Sequence, residues 1–143
     1  MQKILFLDTE THSGTDLAKT SVYRYVEDPA FEIQLVSYSF NGGPVVTVDL
    51  AQGEKLPAEV IAAIYDKSTL KVAHNANFER IVLSRYLGMP TGTYLPCEGW
   101  YCTMVHALTL GLPASLANLS VVLKLKNAKM HEGKDLIRFF AKP

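Results

Sequence analysis

Apolar positions in this chain come in short blocks separated by polar punctuation. The first block, Ile4-Leu5-Phe6-Leu7, is a brief unbroken apolar run near a terminus and predicts a buried strand. Residues 33–40 alternate, with Ile33, Leu35, Ser37 and Ser39 set against Gln34, Val36, Tyr38 and Phe40, and predict a second strand. Asn41-Gly42-Gly43 is a turn signal, and residues 45–48 return as the hairpin partner. Pro57 opens a helix that runs to Tyr65. Leu70-Lys71-Val72-Ala73 reads as another short strand. Behind it, Phe78, Ile81, Val82 and Leu87 carry the spacing of an amphipathic helix, with Asn75 or Asn77 as its N-cap. Residues 100–102 form a short fifth strand, followed by helices over 103–110 and 115–123, the latter capped by Ser115. The order β-β-β-α-β-α-β-α predicts an α/β fold, a mixed sheet with helices on its faces.

The polar positions next to these blocks carry the candidate chemistry. Asp8-Thr9-Glu10-Thr11 follows the first apolar run directly. Side chains alternate along a strand, so Asp8 and Glu10 point to one face. Two carboxylates at the end of a buried strand repel each other and lose hydration, and a divalent cation between them relieves both costs. The competing reading is a polar loop after a strand. A third acid, Glu79, falls in or near the first turn of the predicted helix after Ala73. It is delivered to a strand-to-helix junction, where an acid also serves simply as a partner for the helix dipole.

Length and charge constrain the setting. A chain of 143 residues predicts one domain with a sizeable core. Fourteen basic and 14 acidic residues leave no bulk basic footprint, which argues against tight autonomous nucleic-acid binding but not against a site that holds the backbone through metals. No signal peptide or membrane span is visible, since the first apolar run is far too short. Asn118-Leu119-Ser120 therefore has no meaning as a glycosylation acceptor. Cys97 and Cys102 do not make a disulfide framework. With His74 and His106 they could supply four zinc ligands, but C-x4-C-x3-H lacks the usual C-x2-C knuckle. Arg80 and Lys134 read as solvated, with phosphate contact as the alternative, and Gly111-Leu112-Pro113 as a helix stop. Residues 11–28, which include Tyr23 and Tyr25, read as a long loop beside the site.

The ordered pair of acidic segments resembles the DEDD superfamily of 3′-5′ exonucleases, which have the ribonuclease-H-like fold. Its D-x-E motif is matched by Asp8 and Glu10, and its second motif, an Asn, a spacer, an aromatic and an acid, by Asn75, Phe78 and Glu79. The resemblance is closer to the proofreading domain at the front of phage family A DNA polymerases. Leu5-Phe6-Leu7-Asp8-Thr9-Glu10-Thr11, Ala73-His74-Asn75-Ala76-Asn77-Phe78-Glu79-Arg80 and the stretch from Gly133 to Pro143 all look like that group.

That resemblance implies metal-assisted hydrolysis of the 3′-terminal phosphodiester of DNA, releasing nucleoside 5′-monophosphates. It implies two divalent cations, Mg²⁺ or Mn²⁺, held by Asp8, Glu10 and Glu79, with Thr9, Thr11, Asn75 and Phe78 against the substrate. The substrate would be a single-stranded or frayed DNA 3′ end. A downstream polymerase domain would follow in the complete protein, in the cytoplasm of a bacterial or phage-infected cell and with no membrane.

The superfamily usually carries Asp where Glu79 stands, and its third motif, Tyr-x-x-x-Asp or His-x-x-x-x-Asp, is missing. In the phage group that motif lies beyond a segment like Phe140-Ala141-Lys142-Pro143, so the single domain over 1–143 is expected to lack its C-terminal end. His131 and Asp135, four apart, are the local candidates for the missing pair. Two alternatives follow: a catalytically weak or inactive module that supports a polymerase, or an RNA-directed exonuclease of the same superfamily. Nothing in the chain is a recognisable reader of the 2′-hydroxyl.

Overall fold

The computed structural model describes residues 1–126, and His131, Lys134 and Asp135 lie outside them. Strand β1 spans Ile4–His12, well past the apolar run. The cause is visible in its alternation. Leu5, Leu7, Thr9 and Thr11 are all buried, while Phe6, Asp8 and Glu10 are exposed. Two β-branched threonines continue the inward face, and their hydroxyls find partners there. Asp8 and Glu10 therefore stand within a strand, on its outer side, rather than in a loop behind one.

Strand β2 (Glu32–Phe40) pairs antiparallel with β1, and β3 (Val46–Asp49) pairs antiparallel with β2. The turn between β2 and β3 places Asn41 and Gly42 at positive φ, 53° and 72°, the geometry that favours these two residue types in a hairpin. Asn41 also accepts the Ile4 amide on its Oδ1 at 2.9 Å, which fastens the turn to the start of β1. Strand β4 (Leu70–Ala73) runs parallel to β1, and β5 (Trp100–Cys102) runs parallel to β4. The five-stranded mixed sheet has the order β3-β2-β1-β4-β5, which puts the acidic strand at its centre.

Helices α1 (Val22–Tyr25), α2 (Ala58–Tyr65), α3 (Ala76–Tyr86), α4 (Thr103–Thr109) and α5 (Leu116–Val122) complete the described chain. Val60 and Ile64 of α2 and Ile81, Val82 and Leu83 of α3 pack with Leu5, Leu7, Val36 and Val48 of the sheet in one core. Burying an aliphatic side chain of this size is worth about 1.5–3 kcal/mol, so α2 and α3 are held firmly against the inner side of β1.

Several local expectations change. The stretch 11–28 is not a plain loop: β1 occupies its start, and α1 buries Tyr25 in the core. Asn75 takes the N-cap position of α3, whereas Asn77 lies within the helix. Arg80 is held by protein, donating to the Leu95 carbonyl at 2.6 Å and to Asn77 Oδ1 at 2.9 Å. Lys71, inside a strand that reads as apolar, is buried and donates from Nζ to the Asp66 carbonyl at 2.9 Å.

Candidate active site

Register explains how the two acidic segments meet. β4 pairs Val72 with Phe6 and runs out one residue later, at Ala73. β1 continues to His12, so its Asp8–Glu10 portion has β2 on one side and the start of α3 on the other. The turn into α3 is made by Asn75 at φ 66° and ψ 48°, a left-handed conformation that Asn tolerates better than most residues. Its side chain makes no capping bond and is exposed. One turn later Glu79 reaches the inner side of β1.

Glu79 is 3% exposed. Its Oε1 accepts from Thr9 Oγ1 at 3.4 Å, and its Oε2 is buried with no hydrogen-bond partner among the described residues. Loss of hydration pushes the Glu79 carboxyl up to about 8, and the negative charges of Asp8 and Glu10 push the same way. Glu79 thus shares an electrostatic neighbourhood with both other acids, but from behind Thr9. Asp8 and Glu10 occupy the outer side of β1, opposite Ser37 and Leu35 of β2. A cleft of about 240 Å³ lies on that outer side, with Phe6, Asp8, Ser37, Val72, His74 and Thr103 in its walls.

A divalent cation is the cofactor that the sequence resemblance implies, and the donor set fits it in kind. The carboxylates offer hard oxygen ligands, and the orphaned Glu79 Oε2 is an acceptor in want of a positive partner. In position the trio is divided by the strand. Among the described residues no group of three or more His, Cys, Asp or Glu side chains stands ready to hold a metal ion. Asp8 and Glu10 are exposed on the outer side, and Glu79 bonds Thr9 of the inner side.

The neighbouring wall is aromatic. The Tyr25 phenol lies 3.0 Å from Thr11 Oγ1, and its ring centroid is 6.2 Å from that of Phe78 and 5.8 Å from that of Phe31. Burial, and to a smaller degree the charge of Glu10, raises the Tyr25 phenol above its ordinary range. Tyr25 thereby links Thr11, Phe78 and Glu10, as a buried helical residue rather than one in a loop beside the site. Its signal is the spacing of Val22, Tyr25 and Val26, the i, i+3, i+4 pattern of a short buried turn.

The zinc alternative does not assemble. The Cys102 sulfur accepts the Ala76 amide at 3.4 Å, and Cys97 is exposed. His106 packs its ring against Tyr101, and both nitrogens of His74 are engaged by Thr103 and Ala114. His131 and Asp135, the candidates for a third motif, lie outside the described residues. No helix among the described residues is long and apolar enough to cross a membrane.

No protein-family model matches the chain. Over 141 residues, 99% of its length, it is 46% identical to a DNA polymerase of Bacillus phage SP02, and it spans 21% of that polymerase. Among solved structures, Brucella melitensis NrnC superposes with a TM-score of 0.60 at 18% identity, covering 89% of this chain and 54% of NrnC. A form of NrnC with bound Mg²⁺ superposes equally well, with a TM-score of 0.60 at 18% identity over 90% of this chain and 56% of that one. The chain is thus a homologue of a segment of a phage DNA polymerase, and it has a ribonuclease-H-like fold that it shares with NrnC.

Proposed function

We propose that this chain is the metal-dependent 3′-5′ exonuclease domain of a phage-type DNA polymerase, acting in proofreading. It would hydrolyse the 3′-terminal phosphodiester of DNA and release nucleoside 5′-monophosphates. The observation that carries this reading is the placement of Asp8 and Glu10 side by side on the outer side of the central strand, with Glu79 in electrostatic contact with both. The 46% identity to a phage DNA polymerase supports it, as does Mg²⁺ in a protein of the same fold.

When bound, two Mg²⁺ or Mn²⁺ ions would supply Lewis acidity and a nucleophile at neutral pH. The chain's own residues do the rest. Asp8 and Glu10 hold positive charge against β1. Thr9 sets the orientation of Glu79 through its hydroxyl. Glu79, once a cation is bound, would add its negative charge from the inner side. The exposed amide of Asn75, at the turn into α3, offers both a donor and an acceptor to the terminal nucleotide. Phe78, half-buried beside Tyr25, offers an apolar wall to the terminal base. In the complete protein a polymerase domain would deliver the frayed 3′ end.

A second reading, a weakly catalytic module that supports a polymerase, is favoured by one observation. Glu79 sits behind Thr9 rather than with Asp8 and Glu10. The amount of product separates the two readings, and its identity tests the first. Incubation of the chain with Mn²⁺ and single-stranded DNA should yield nucleoside 5′-monophosphates by chromatography, whereas 3′-monophosphates or internal fragments would contradict the exonuclease reading. A parallel RNA substrate tests the sugar preference, which the DNA reading expects to favour deoxyribose.

A further inference from the structure

His74 stands just beyond β4, where the chain leaves the sheet for α3, and it lines the cleft together with Asp8 and Thr103. Both ring nitrogens are engaged. Nε2 lies 2.8 Å from the Ala114 carbonyl oxygen, and Nδ1 lies 3.0 Å from Thr103 Oγ1. A carbonyl can only accept, so Nε2 carries the proton, and Nδ1 of that tautomer, at 3.0 Å, is a nearer acceptor for the Thr103 hydroxyl than the Ala73 carbonyl at 3.4 Å. One side chain thereby ties together segments 29 and 40 positions away in sequence: the start of α4 and the connection from α4 to α5. With both nitrogens bound to protein, the ring is placed neither as a general base nor as a ligand.

What it governs is the position of a wall. Helices α4 and α5 are seven residues each, and α4 buries only Ala107. Val105, Leu108, Val121 and Val122 are all exposed. Elements with so few buried contacts open at low cost. Two hydrogen bonds worth about 0.5–1.5 kcal/mol each are then a large share of what fixes them. We propose that His74 is a positioning residue, a latch that holds Thr103, in the wall of the cleft beside Asp8, together with the segment leading to Ala114, so that a nucleic-acid 3′ end seats against β1. The identity of the occupant rests on the exonuclease reading, whereas the latch rests on the geometry of His74, Thr103 and Ala114.

The test uses the full chain with His74→Ala, Thr103→Val and Thr103→Ser. Amide hydrogen exchange over residues 110–116 should quicken about tenfold in His74→Ala, a change of about 1.4 kcal/mol in opening. Thr103→Val should give a smaller increase, and Thr103→Ser, which keeps the hydroxyl, should restore the wild-type rate. Binding of a fluorescent single-stranded oligonucleotide in Ca²⁺ should weaken about tenfold in His74→Ala. In Mn²⁺ the same variant should raise KM about tenfold while kcat stays within twofold. Unchanged exchange in His74→Ala overturns the latch. Quickened exchange with unchanged oligonucleotide binding, or a loss confined to kcat, overturns its role in seating substrate. If His74→Ala does not fold, Thr103→Val against Thr103→Ser gives the same decision. A wild-type chain that binds no oligonucleotide overturns the exonuclease reading and the seating role with it, while the exchange rates still judge the latch by itself.

Discussion

Thr9 Oγ1 donates a hydrogen bond to Glu79 Oε1 at 3.4 Å, joining the central strand to the first turn of α3. Thr9 lies between Asp8 and Glu10 in sequence but faces the other side of the sheet. The bond therefore connects the two acidic segments through the thickness of the strand. At 3.4 Å it is long for a hydroxyl donor, and it leaves the second oxygen of Glu79 buried and without a partner among the described residues. Such a carboxyl is comfortable in two conditions: neutral, or ionised beside a cation.

The pH dependence of stability follows from the first condition. Folding raises the Glu79 carboxyl from 4.5 to about 8, with burial the largest cause. Across that interval the folded chain keeps a proton that the unfolded chain has lost, so this group's contribution falls as pH rises. The contribution is whole below about 4.5 and gone above about 8. Each pKa unit corresponds to about 1.4 kcal/mol, enough to appear in denaturant unfolding at pH 5, 7 and 9. In Glu79→Gln, which stays neutral, the decline should flatten and stability at pH 9 should exceed wild type. An equal decline in the variant would show that some other group is responsible.

The second condition predicts stabilisation by metal. A cation that binds only the native state, at a hundred times its Kd, adds about 2.7 kcal/mol. Thermal melts in millimolar Mn²⁺ should shift upward in the wild type and not in Asp8→Ala. Chelation should reverse the shift. A melting temperature that ignores Mn²⁺ would count against the acidic pair as a cation site.

Tyr25 provides a prediction independent of the carboxylates. Its hydroxyl meets buried Thr11, and its ring packs on Phe31 and Phe78. Tyr25→Phe should cost about 1 kcal/mol, the worth of one hydrogen bond. Tyr25→Ala should cost about 3–5 kcal/mol through the cavity that it leaves. Chemical denaturation of both variants gives the ratio, and equal losses would mean that the ring contributes little packing.

The strands and the main helices were legible because their apolar spacing is local. The extent of β1 was less so, since Thr9 and Thr11 look like loop residues until their alternation with Leu5 and Leu7 is counted. Helix α1 was hidden by its brevity, with only Val22, Tyr25 and Val26 to mark it. Arg80 and Lys71 could not be read from sequence: their partners, the carbonyls of Leu95 and Asp66, are supplied by the tertiary fold. Asp8, Glu10 and Glu79 are singled out as candidates by motif spacing. The side of the strand on which Glu79 lies is not set by that spacing, because it depends on where β4 ends relative to β1. The role of His74 was equally hidden, since Thr103 and Ala114 come to it from far along the chain.

The most direct measurement is digestion of a 5′-labelled single-stranded DNA by excess chain in Mn²⁺, followed over hours beside Asp8→Ala and a chelated control. The proposed exonuclease activity predicts slow, stepwise shortening from the 3′ end that stops on chelation. It should fall at least a hundredfold in Asp8→Ala, on the order of 2.7 kcal/mol in barrier. Shortening that proceeds unchanged in Asp8→Ala or without metal, or that starts at the 5′ end, would contradict it.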